Sequence, residues 1–320
     1  MSIIKKVEKP LYLLKLEALL GRLPNHHPKR AIVIEEAAKV TAGFRGEQSI
    51  EYSLKEVQHQ VSIFNDLRLQ SSSGSFFQLD FLILTPYFIA LIESKNYIGA
   101  IRIQTDHRQM IRTFEGKETV FPDAVLQLRR QTRHLTDWMH DHSIVPIPIP
   151  SFVGIANPTT RFDVSPPHPD YLHRFIRAIE LPDTIHSLLQ KNKTVFLKAD
   201  QLRKFERMLL KNHVVYDPDL LAKFKIEESS LLKGVQCPNC AQFSMERMSQ
   251  RWHCPACNAF SKEAHIQAIQ DYAYLIKPTA SSVEIARFLM LDSRFTAYRM
   301  LISMNLKTSG GPKNRIYYLR

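Results

Sequence analysis

Two acidic residues and a lysine interrupt the most apolar part of the chain. Asp80, Glu93 and Lys95 lie within the stretch QLDFLILTPYFIALIESK, which runs from position 78 to position 95. Apolar residues occupy both alternating sets of positions in this stretch, a pattern typical of central strands that are covered on both faces. We therefore predict that the three charged side chains lie at or near a buried sheet surface.

The length of the turn at Thr85-Pro86 decides whether these charges meet. A turn of two or four residues places Asp80 and Glu93 on the same face of an antiparallel pair, with their Cβ atoms about 5 to 7 Å apart. A turn with an odd number of residues would place them on opposite faces. Lys95 shares the face of Glu93 because side chains alternate along a strand.

Two carboxylates at this separation repel each other in a site of low dielectric constant, and burial adds a cost of several kcal/mol per ion. A divalent cation removes that cost, and Mg²⁺ typically takes one or two carboxylates while keeping waters for substrate phosphates. A lysine beside such an ion can orient a water molecule or stabilise negative charge in a transition state. The three residues therefore favour a metal-dependent phosphodiesterase. A buried ion pair used only for packing is the alternative.

The surrounding sequence predicts an α/β (α+β) domain in which strands alternate with helices. A second helical pattern, which starts near Val33, is interrupted by AGFRGE and resumes at Gln48. Glycines in such a segment can allow a tight entry into a helix. The other predicted elements are a helix around Leu11 to Leu20, strands at SIFNDLRL, AIRIQTD, MIRTFEG and VPIPIPSFVGIANP, and a helix at DAVLQLRRQTRHLTDWM.

Several of these segments together resemble one family. The spacing from Asp80 to Glu93-Ser94-Lys95 is similar to the core motif of the PD-(D/E)xK nuclease superfamily. With GFRGE upstream, and with QLDFLIL, ESKNYIGAIRI, FPDAVLQ and VGIANP, the sequence resembles the NERD (nuclease-related domain) family over about residues 37 to 190. The stretch FPD departs from the family, in which Asn-Pro is common at this place.

The resemblance implies a restriction-endonuclease-like mixed sheet flanked by helices, with a nuclease site that uses Mg²⁺ or Mn²⁺. It implies that Asp80 and Glu93 hold the metal and that Lys95 is the catalytic lysine. Glu47 matches an acidic residue of the first helix that completes the metal shell or activates water, although it could instead be a first-turn partner of the helix dipole. Gln127 matches a polar position near such sites.

The helix predicted to contain Gln127 also carries three arginines, Arg129, Arg130 and Arg133. These residues could contact the phosphates of a nucleic acid. A solvated basic helix face is the alternative interpretation.

All four cysteines occur within 21 residues, as the pairs CPNC and CPAC. Cys237, Cys240, Cys254 and Cys257 have the spacing of a zinc ribbon, in which two pairs of thiolates hold one structural Zn²⁺. A redox dithiol is the alternative. The intervening Arg251 and Trp252 could touch a nucleic-acid backbone or stack on a base, whereas a ribbon that only braces the fold would not use them in this way.

The last 40 residues predict a winged-helix-like module. A helix from Val283 to Leu291 is followed by a turn at Asp292-Ser293, a second helix from Arg294 to Met304, and the strand IYYLR. In such a module the second helix enters the major groove, and Lys313 and Arg315 would approach phosphates. A packing or dimerisation module with a basic surface is the alternative.

The composition is consistent with a nucleic-acid partner. The 320 residues carry a formal net charge of +12 and have a pI of about 9.5, which favours polyanionic partners. No apolar run is long enough for a transmembrane helix and no signal peptide is apparent, so we expect a cytoplasmic protein without a membrane partner. The predicted segments are an N-terminal helical segment (1–36), the nuclease-like domain (37–190), a helical connector (191–230), a zinc ribbon (231–262) and a winged-helix-like module (263–320).

Taken together, the sequence favours an enzyme, a Mg²⁺-dependent nuclease that hydrolyses phosphodiester bonds with DNA as the favoured substrate over RNA. The alternative is a non-catalytic nucleic-acid-binding factor that retains a nuclease-like fold. A zinc-braced scaffold for protein interactions would not bind DNA in a salt-dependent way, and the net charge of +12 makes it the weaker hypothesis.

Overall fold

A computed structural model describes residues 2–57, 61–312 and 314–320. The helices are α1 (Leu11–Arg22), α2 (Arg30–Leu54), α3 (Ala124–Asp141), α4 (Pro169–Leu172), α5 (Leu181–Lys191), α6 (Ala199–Asn212), α7 (Leu220–Phe224), α8 (Ala264–Leu275), α9 (Ser282–Phe288) and α10 (Arg294–Ser303). The strands are β1 (Ser2–Lys5), β2 (Ser62–Gln70), β3 (Phe76–Leu84), β4 (Ile89–Lys95), β5 (Ala100–Gln104), β6 (Gln109–Phe114), β7 (Lys117–Pro122), β8 (Ser151–Ile155), β9 (Arg161–Ser165), β10 (Phe175–Arg177), β11 (Glu246–Met248), β12 (Arg251–His253), β13 (Phe260–Ser261), β14 (Thr279–Ala280), β15 (Thr308–Ser309) and β16 (Ile316–Tyr318).

The chain divides into two compact units. Unit 1 comprises Met1–Lys9 and Lys39–Tyr216, and unit 2 comprises Pro10–Ala38 and Asp217–Arg320. The mixed α/β fold class is confirmed. The five segment boundaries given above stay a prediction, and the two units are described separately below.

Unit 1 is built on a six-stranded mixed sheet of order β1-β2-β3-β4-β8-β10. The pairs β2/β3 and β3/β4 are antiparallel, whereas β4/β8 and β8/β10 are parallel. The apolar side chains of α3 and α6 cover one face, and those of α5 and the last part of α2 cover the other. Because both faces are covered, the central strands are apolar at odd and even positions alike.

A four-residue connection joins the two central strands β3 and β4, which the sequence predicted as neighbours. The Thr85 hydroxyl donates to the carbonyl of Phe88 at 2.7 Å and accepts from the amides of Tyr87 and Phe88, so this side chain closes the turn. The register pairs Leu84 with Ile89 and Phe81 with Ile92. The even length of the connection meets the condition for the two carboxylates to share a face.

Helix α2 differs from the prediction. It runs without interruption through AGFRGE, so the predicted break and the interpretation of this segment as a helix entry are wrong. Gly46 has a packing role within the helix, because a Cβ atom there would lie 2.7 Å from the Cβ of Asn96. The glycine thus allows α2 to approach the end of β4 closely, whereas Gly43 has open space around it.

A second sheet in unit 1 has the order β7-β6-β5-β9. Its apolar face, which includes Ile101 and Met110, packs with the start of α3 and with Val153 of β8. Asp123 caps α3, since its Oδ1 accepts from the amide of Val125 at 2.7 Å. The aspartate of the stretch FPD, in which the sequence departs from the family pattern, thus serves as a helix cap.

Unit 2 joins the N-terminal helix α1 to the C-terminal part of the chain, an arrangement that the sequence did not predict. Arg22 at the end of α1 is fully buried, and its Nε donates to Asp271 of α8 at 2.8 Å. Its Nη1 donates to the carbonyls of Leu232 and Gly234, each at 2.9 Å. A buried charge needs such a set of partners, so α1 is an integral part of this unit.

The cysteine-containing part of unit 2 folds into the antiparallel sheet β11-β12-β13. The helix α8 follows it, and the chain then continues as strand, two helices and two strands, with sheet order β14-β16-β15. This is the winged-helix outline predicted for the C-terminal module. Ser293 caps α10 at the predicted turn by accepting from the amide of Phe295. The candidate residue Lys313 lies outside the described residues.

Candidate active site and cysteine cluster

The carboxylates of Asp80 and Glu93 lie on neighbouring central strands. Extending the register from the pair Phe81 and Ile92 by one residue places Asp80 directly opposite Glu93. Lys95 follows two residues later on the same face, because side chains alternate along β4. The structure therefore brings the three charged residues of the apolar stretch together at one end of this strand pair.

Side-chain amides from α3 hold the carboxylate of Glu93, which is only 3% exposed. Gln127 Nε2 donates to Glu93 Oε1 at 2.6 Å, and Gln131 Nε2 donates to Glu93 Oε2 at 2.7 Å. Lys95 Nζ lies 2.7 Å from Glu93 Oε1 and also donates to Gln127 Oε1 at 3.0 Å. Each oxygen of Glu93 thus has a fixed donor, so the carboxylate is held in one orientation.

The ammonium group of Lys95 stays charged in this setting. Burial acts to lower its pKa, but the attraction of Glu93, Tyr97 and Asp80 outweighs burial and raises the pKa above its ordinary value. Lys95 is therefore a fixed positive charge beside two carboxylates.

Asp80 is the carboxylate that the site compensates least. Its Oδ2 accepts a hydrogen bond from the backbone amide of Ser94 at 2.8 Å. Burial and the negative charges of Glu93 and Glu47 raise the pKa of Asp80 well above its ordinary value, and the opposing effect of Lys95 is smaller. An ionised Asp80 is thus costly here unless a cation lies beside it.

Glu47 approaches the site from α2, one residue after the close contact of Gly46. Its Oε2 accepts from Asn65 Nδ2 at 2.8 Å, and the same Nδ2 donates to the carbonyl of Asp80 at 3.0 Å. Burial raises the pKa of Glu47 to about 7, although the hydrogen bond from Asn65 acts in the opposite direction. At neutral pH this carboxyl group can therefore either hold or accept a proton.

Sequence reasoning missed two amides at this site. Asn65 is 1% exposed and links Glu47 to the backbone of β3, and the buried Gln131 links Glu93 to the carbonyl of Gln78 at 3.0 Å. Two signals could have found them: an asparagine directly after the apolar pair Ile63-Phe64 in SIFNDLRL, and a glutamine one helical turn after Gln127.

The three arginines of α3 are all exposed. Arg129 is paired with Asp170 of α4, with 2.8 Å between Nη2 and Oδ2. Along the helix, Arg130 is about 60° from Gln127 and Arg133 about 120°, at 100° per residue. Arg130 is therefore the arginine nearest in angle to the residue that holds Glu93.

The donor set of this site fits a small divalent cation. Asp80 and Glu93 supply two opposed carboxylates, which is the number that Mg²⁺ usually takes from a protein. Burial first, and then the charges of Glu93 and Glu47, raise the pKa of Asp80, so a cation beside Asp80 would favour its ionised form. Among the described residues, the four cysteines form a group of three or more metal-ligating side chains whose ligand atoms all lie within 4.8 Å of one another. The carboxylates of this site do not form such a group.

The four cysteines converge in unit 2. The Sγ atoms of Cys237 and Cys257 are 3.6 Å apart, as are those of Cys240 and Cys254, and all four lie within 4.8 Å of one another. A disulfide needs about 2.05 Å, so these thiols are free and spaced as ligands around one ion.

Two similar turns supply these ligands. In each turn the amide of the residue after the second cysteine donates to the carbonyl of the first cysteine, at 2.9 Å for Ala241 and 2.8 Å for Asn258. Both residues have a φ of 58°. The hydroxyl of Ser244 lies 3.2 Å from Cys254 Sγ. The arrangement is compatible with a zinc ribbon.

The structure contradicts one of the nucleic-acid candidates. Trp252 is 1% exposed within the core of unit 2, and its Nε1 donates to His265 Nδ1 at 3.2 Å. A buried indole cannot receive a base, so the interpretation of Trp252 as a stacking residue is wrong. Arg251 is exposed, with its guanidinium carbon 4.2 Å from the centre of the Phe260 ring, and Arg315 is half-buried.

Comparison with protein families identifies the domain around the carboxylates. Residues 42–155 match the family model of the nuclease-related domain, NERD. Over these 114 of the 320 residues the chain is similar to the nuclease-related domain. The match includes Glu47, Asp80, Glu93, Lys95 and Gln127. No curated protein and no solved structure matches the sequence. Among the described residues, none of the helices has the length and apolar character needed to cross a membrane.

Proposed function

We propose that the nuclease-related domain is a metal-dependent nuclease that hydrolyses phosphodiester bonds, with DNA favoured over RNA. The observation that carries this proposal is the convergence of Asp80, Glu93 and Lys95 at one strand end, beside Glu47 and Gln127. A packing ion pair needs one acid and one base. Here the pKa of Asp80 is raised by burial and by the charges of Glu93 and Glu47, and the pKa of Glu47 is raised mainly by burial, so three carboxyl groups share one site with Lys95.

In this proposal Asp80 and Glu93 hold a Mg²⁺ or Mn²⁺ ion. When bound, such an ion neutralises phosphate charge and makes a coordinated water more acidic. Gln127 and Gln131 fix the orientation of Glu93 through the two hydrogen bonds described above. Asn65 fixes Glu47 relative to the strand that carries Asp80.

The other charged residues supply proton transfer and charge stabilisation. A water oxygen attacks phosphorus, the bond from phosphorus to one ester oxygen breaks, and the leaving oxygen takes a proton from solvent. Glu47, with a pKa of about 7, accepts the proton that the attacking water loses. Lys95 places its ammonium group where negative charge develops on the phosphoryl oxygens.

We further propose that the four cysteines bind Zn²⁺ and that this ion is structural. A site with four protein ligands has no position left for substrate. The ion would supply part of the folding free energy of the surrounding ribbon. Nucleic acid is the expected partner of the whole chain, given the net charge of +12.

One observation favours the second candidate, a nucleic-acid-binding factor without activity. Both oxygens of Glu93 already accept hydrogen bonds from Lys95, Gln127 and Gln131. A carboxylate whose two oxygens are both hydrogen-bonded in this way could have a purely structural role, joining the sheet to α3.

A cleavage assay with matched variants tests the proposal. Purified zinc-loaded protein is incubated with linear DNA, circular DNA and RNA, with Mg²⁺ or without added Mg²⁺, beside the double variant Glu93→Ala/Lys95→Ala. The proposal expects metal-dependent cleavage by the wild type alone, and the substrates that are cut identify the nucleic acid. Binding without cleavage by either protein would favour the non-catalytic factor.

A further inference from the structure

An open groove of about 960 Å³ lies within the winged-helix-like module of unit 2. The start of α9, the start of α10 and strand β16 form its walls. None of the described residues that line it is acidic. Its polar and aromatic lining residues include Ser282, Arg294, Phe295, Tyr298, Arg315 and Tyr317.

The groove contains aromatic rings that are exposed to solvent. Phe295 is 63% exposed, with the guanidinium carbon of Arg294 5.1 Å from the centre of its ring. Tyr298 is half-buried on the same helix. An exposed phenyl ring beside an arginine offers a face on which another planar group can stack.

One tyrosine of the groove wall, Tyr317 of β16, is buried. Tyr317 is 1% exposed, and its hydroxyl has no hydrogen-bond partner among the described residues. An unsatisfied buried polar group costs about 1 to 3 kcal/mol. Because this hydroxyl is shielded from solvent, a ligand in the groove would contact the rings of Phe295 and Tyr298 instead.

The charge of the module selects an anionic ligand. Residues 281–320 contain seven basic and two acidic residues. One of the two acids, Glu284, is occupied by Lys277 at 2.5 Å and by the Ser281 hydroxyl at 2.9 Å. The arginines of the groove therefore keep their positive charge available for phosphates.

The concave placement of the rings distinguishes unpaired from paired nucleotides. Within a duplex the faces of the bases are covered by their neighbours in the stack, and only base edges are reachable from the grooves. An unpaired base exposes its face and can stack on an aromatic ring while arginines contact the backbone. Phe295 and Tyr298, with Arg294 and Arg315, provide both kinds of contact in one groove.

We propose that this groove binds unpaired nucleotides of single-stranded nucleic acid. The inference goes beyond the proposed nuclease activity and does not depend on it, because binding can be measured without turnover. It also differs from the expectation that α10 enters the major groove of a duplex, since the contacts would be made to base faces.

Fluorescence anisotropy tests the proposal with the full-length, zinc-loaded chain carrying Glu93→Ala, so that the probes are not cut. The probes are labelled single-stranded DNA, single-stranded RNA and duplex DNA of about 12 units, a length suited to single-strand sites. The expected result is tighter binding of at least one single strand than of the duplex. Phe295→Ala should weaken that binding about tenfold, the effect of losing one stacked base.

Two further variants separate stacking and charge from general damage. Arg315→Ala should weaken binding and reduce its dependence on salt by about one phosphate contact. Tyr318→Ala removes an exposed ring from the opposite side of the same strand and should leave affinity unchanged. Thermal unfolding checks that each variant is folded. Duplex binding as tight as single-strand binding, or a folded Phe295→Ala variant with unchanged affinity, would overturn the proposal.

Discussion

The carboxylate site of unit 1 and the cysteine cluster of unit 2 gather metal-ligating atoms in different ways. The cysteines come from two similar turns that are 13 residues apart, and their four sulfurs lie within 4.8 Å of one another. The carboxylates come from α2, β3 and β4, and amides from β2 and α3 hold two of them. The cluster is a closed set of four thiols, whereas the carboxylates are held by amide and lysine donors of the protein.

This difference indicates what each region would do with a metal. A closed set of four ligands is suited to stability, because no position remains for substrate. A site with two opposed carboxylates and a neighbouring lysine is suited to chemistry, because a bound cation would keep positions for water and phosphate. Removing ligands should therefore impair folding in unit 2 and activity in unit 1.

The largest effect should come from the cysteines. Cys254→Ser removes one of four ligands, and we expect loss of the metal and a cost of about 5 kcal/mol or more in the free energy of unfolding of unit 2. Each unit contains one of the two tryptophans, Trp138 in unit 1 and Trp252 in unit 2. Fluorescence in Trp138→Phe and Trp252→Phe backgrounds therefore reports on each unit alone, beside a measurement of zinc content. An unchanged Trp252 signal in Cys254→Ser would contradict the structural role of the metal.

Asp80→Asn should have the opposite profile. The proposal predicts a loss of about 10²- to 10³-fold in cleavage rate, comparable to the loss of a key electrostatic group elsewhere. Stability at neutral pH should stay equal or rise, because the substitution removes a carboxylate whose ionisation the fold disfavours. Cleavage rates and thermal unfolding measure the two effects. Asp137→Asn, an exposed carboxylate on α3, is the control and should change neither.

The pKa of Glu47 predicts a specific pH dependence of stability. The folded state raises this pKa from 4.5 to about 7, so it favours the protonated form. The corresponding stabilisation, on the order of 3 kcal/mol, is fully present below about pH 4.5 and is lost as the pH rises through 7. In metal-free buffer, Glu47→Gln should therefore gain stability relative to the wild type between about pH 5 and pH 8. Parallel denaturant titrations test this, and a difference independent of pH would show that Glu47 ionises normally.

The smallest predicted effect is a difference in stability between substitutions at two glycines of α2. Gly46→Ala should cost about 1 to 3 kcal/mol, because the new methyl group would meet Asn96 at 2.7 Å. The same substitution should lower cleavage by displacing Glu47. Gly43→Ala meets nothing within 4 Å and should add about 1 kcal/mol of stability through helix propensity. Equal behaviour of the two variants in denaturant unfolding would rule out the close approach of α2 to β4.

The sequence predicted those features of both regions that depend on short spacing. The cysteine pairs, the strands of the central hairpin and the helix that contains Gln127 were all located from local patterns. The prediction that Asp80 and Glu93 share one face of the sheet depended on one condition, an even number of residues in the turn at Thr85. Because side chains alternate between the two faces of a strand, such a prediction holds over about a dozen residues.

Features that depend on long-range packing were not predicted. Gly46 was interpreted as part of a helix entry because its contact, Asn96, is 50 residues away. Trp252 was interpreted as a ligand-binding ring because nothing local shows that a core forms around it. The buried pair of Arg22 and Asp271 joins residues 249 positions apart, which no periodicity can reveal.

The most direct test of the central claim is Mn²⁺ binding to the carboxylate site. Electron paramagnetic resonance of zinc-loaded wild type titrated with Mn²⁺, beside Asp80→Asn and Asp137→Asn, measures this binding without requiring turnover. The account predicts that the wild type and Asp137→Asn bind Mn²⁺, that Mg²⁺ competes for it, and that Asp80→Asn loses the site. No bound Mn²⁺ in the wild type, or equal binding by Asp80→Asn, would contradict the account and leave the three charged residues as a structural network.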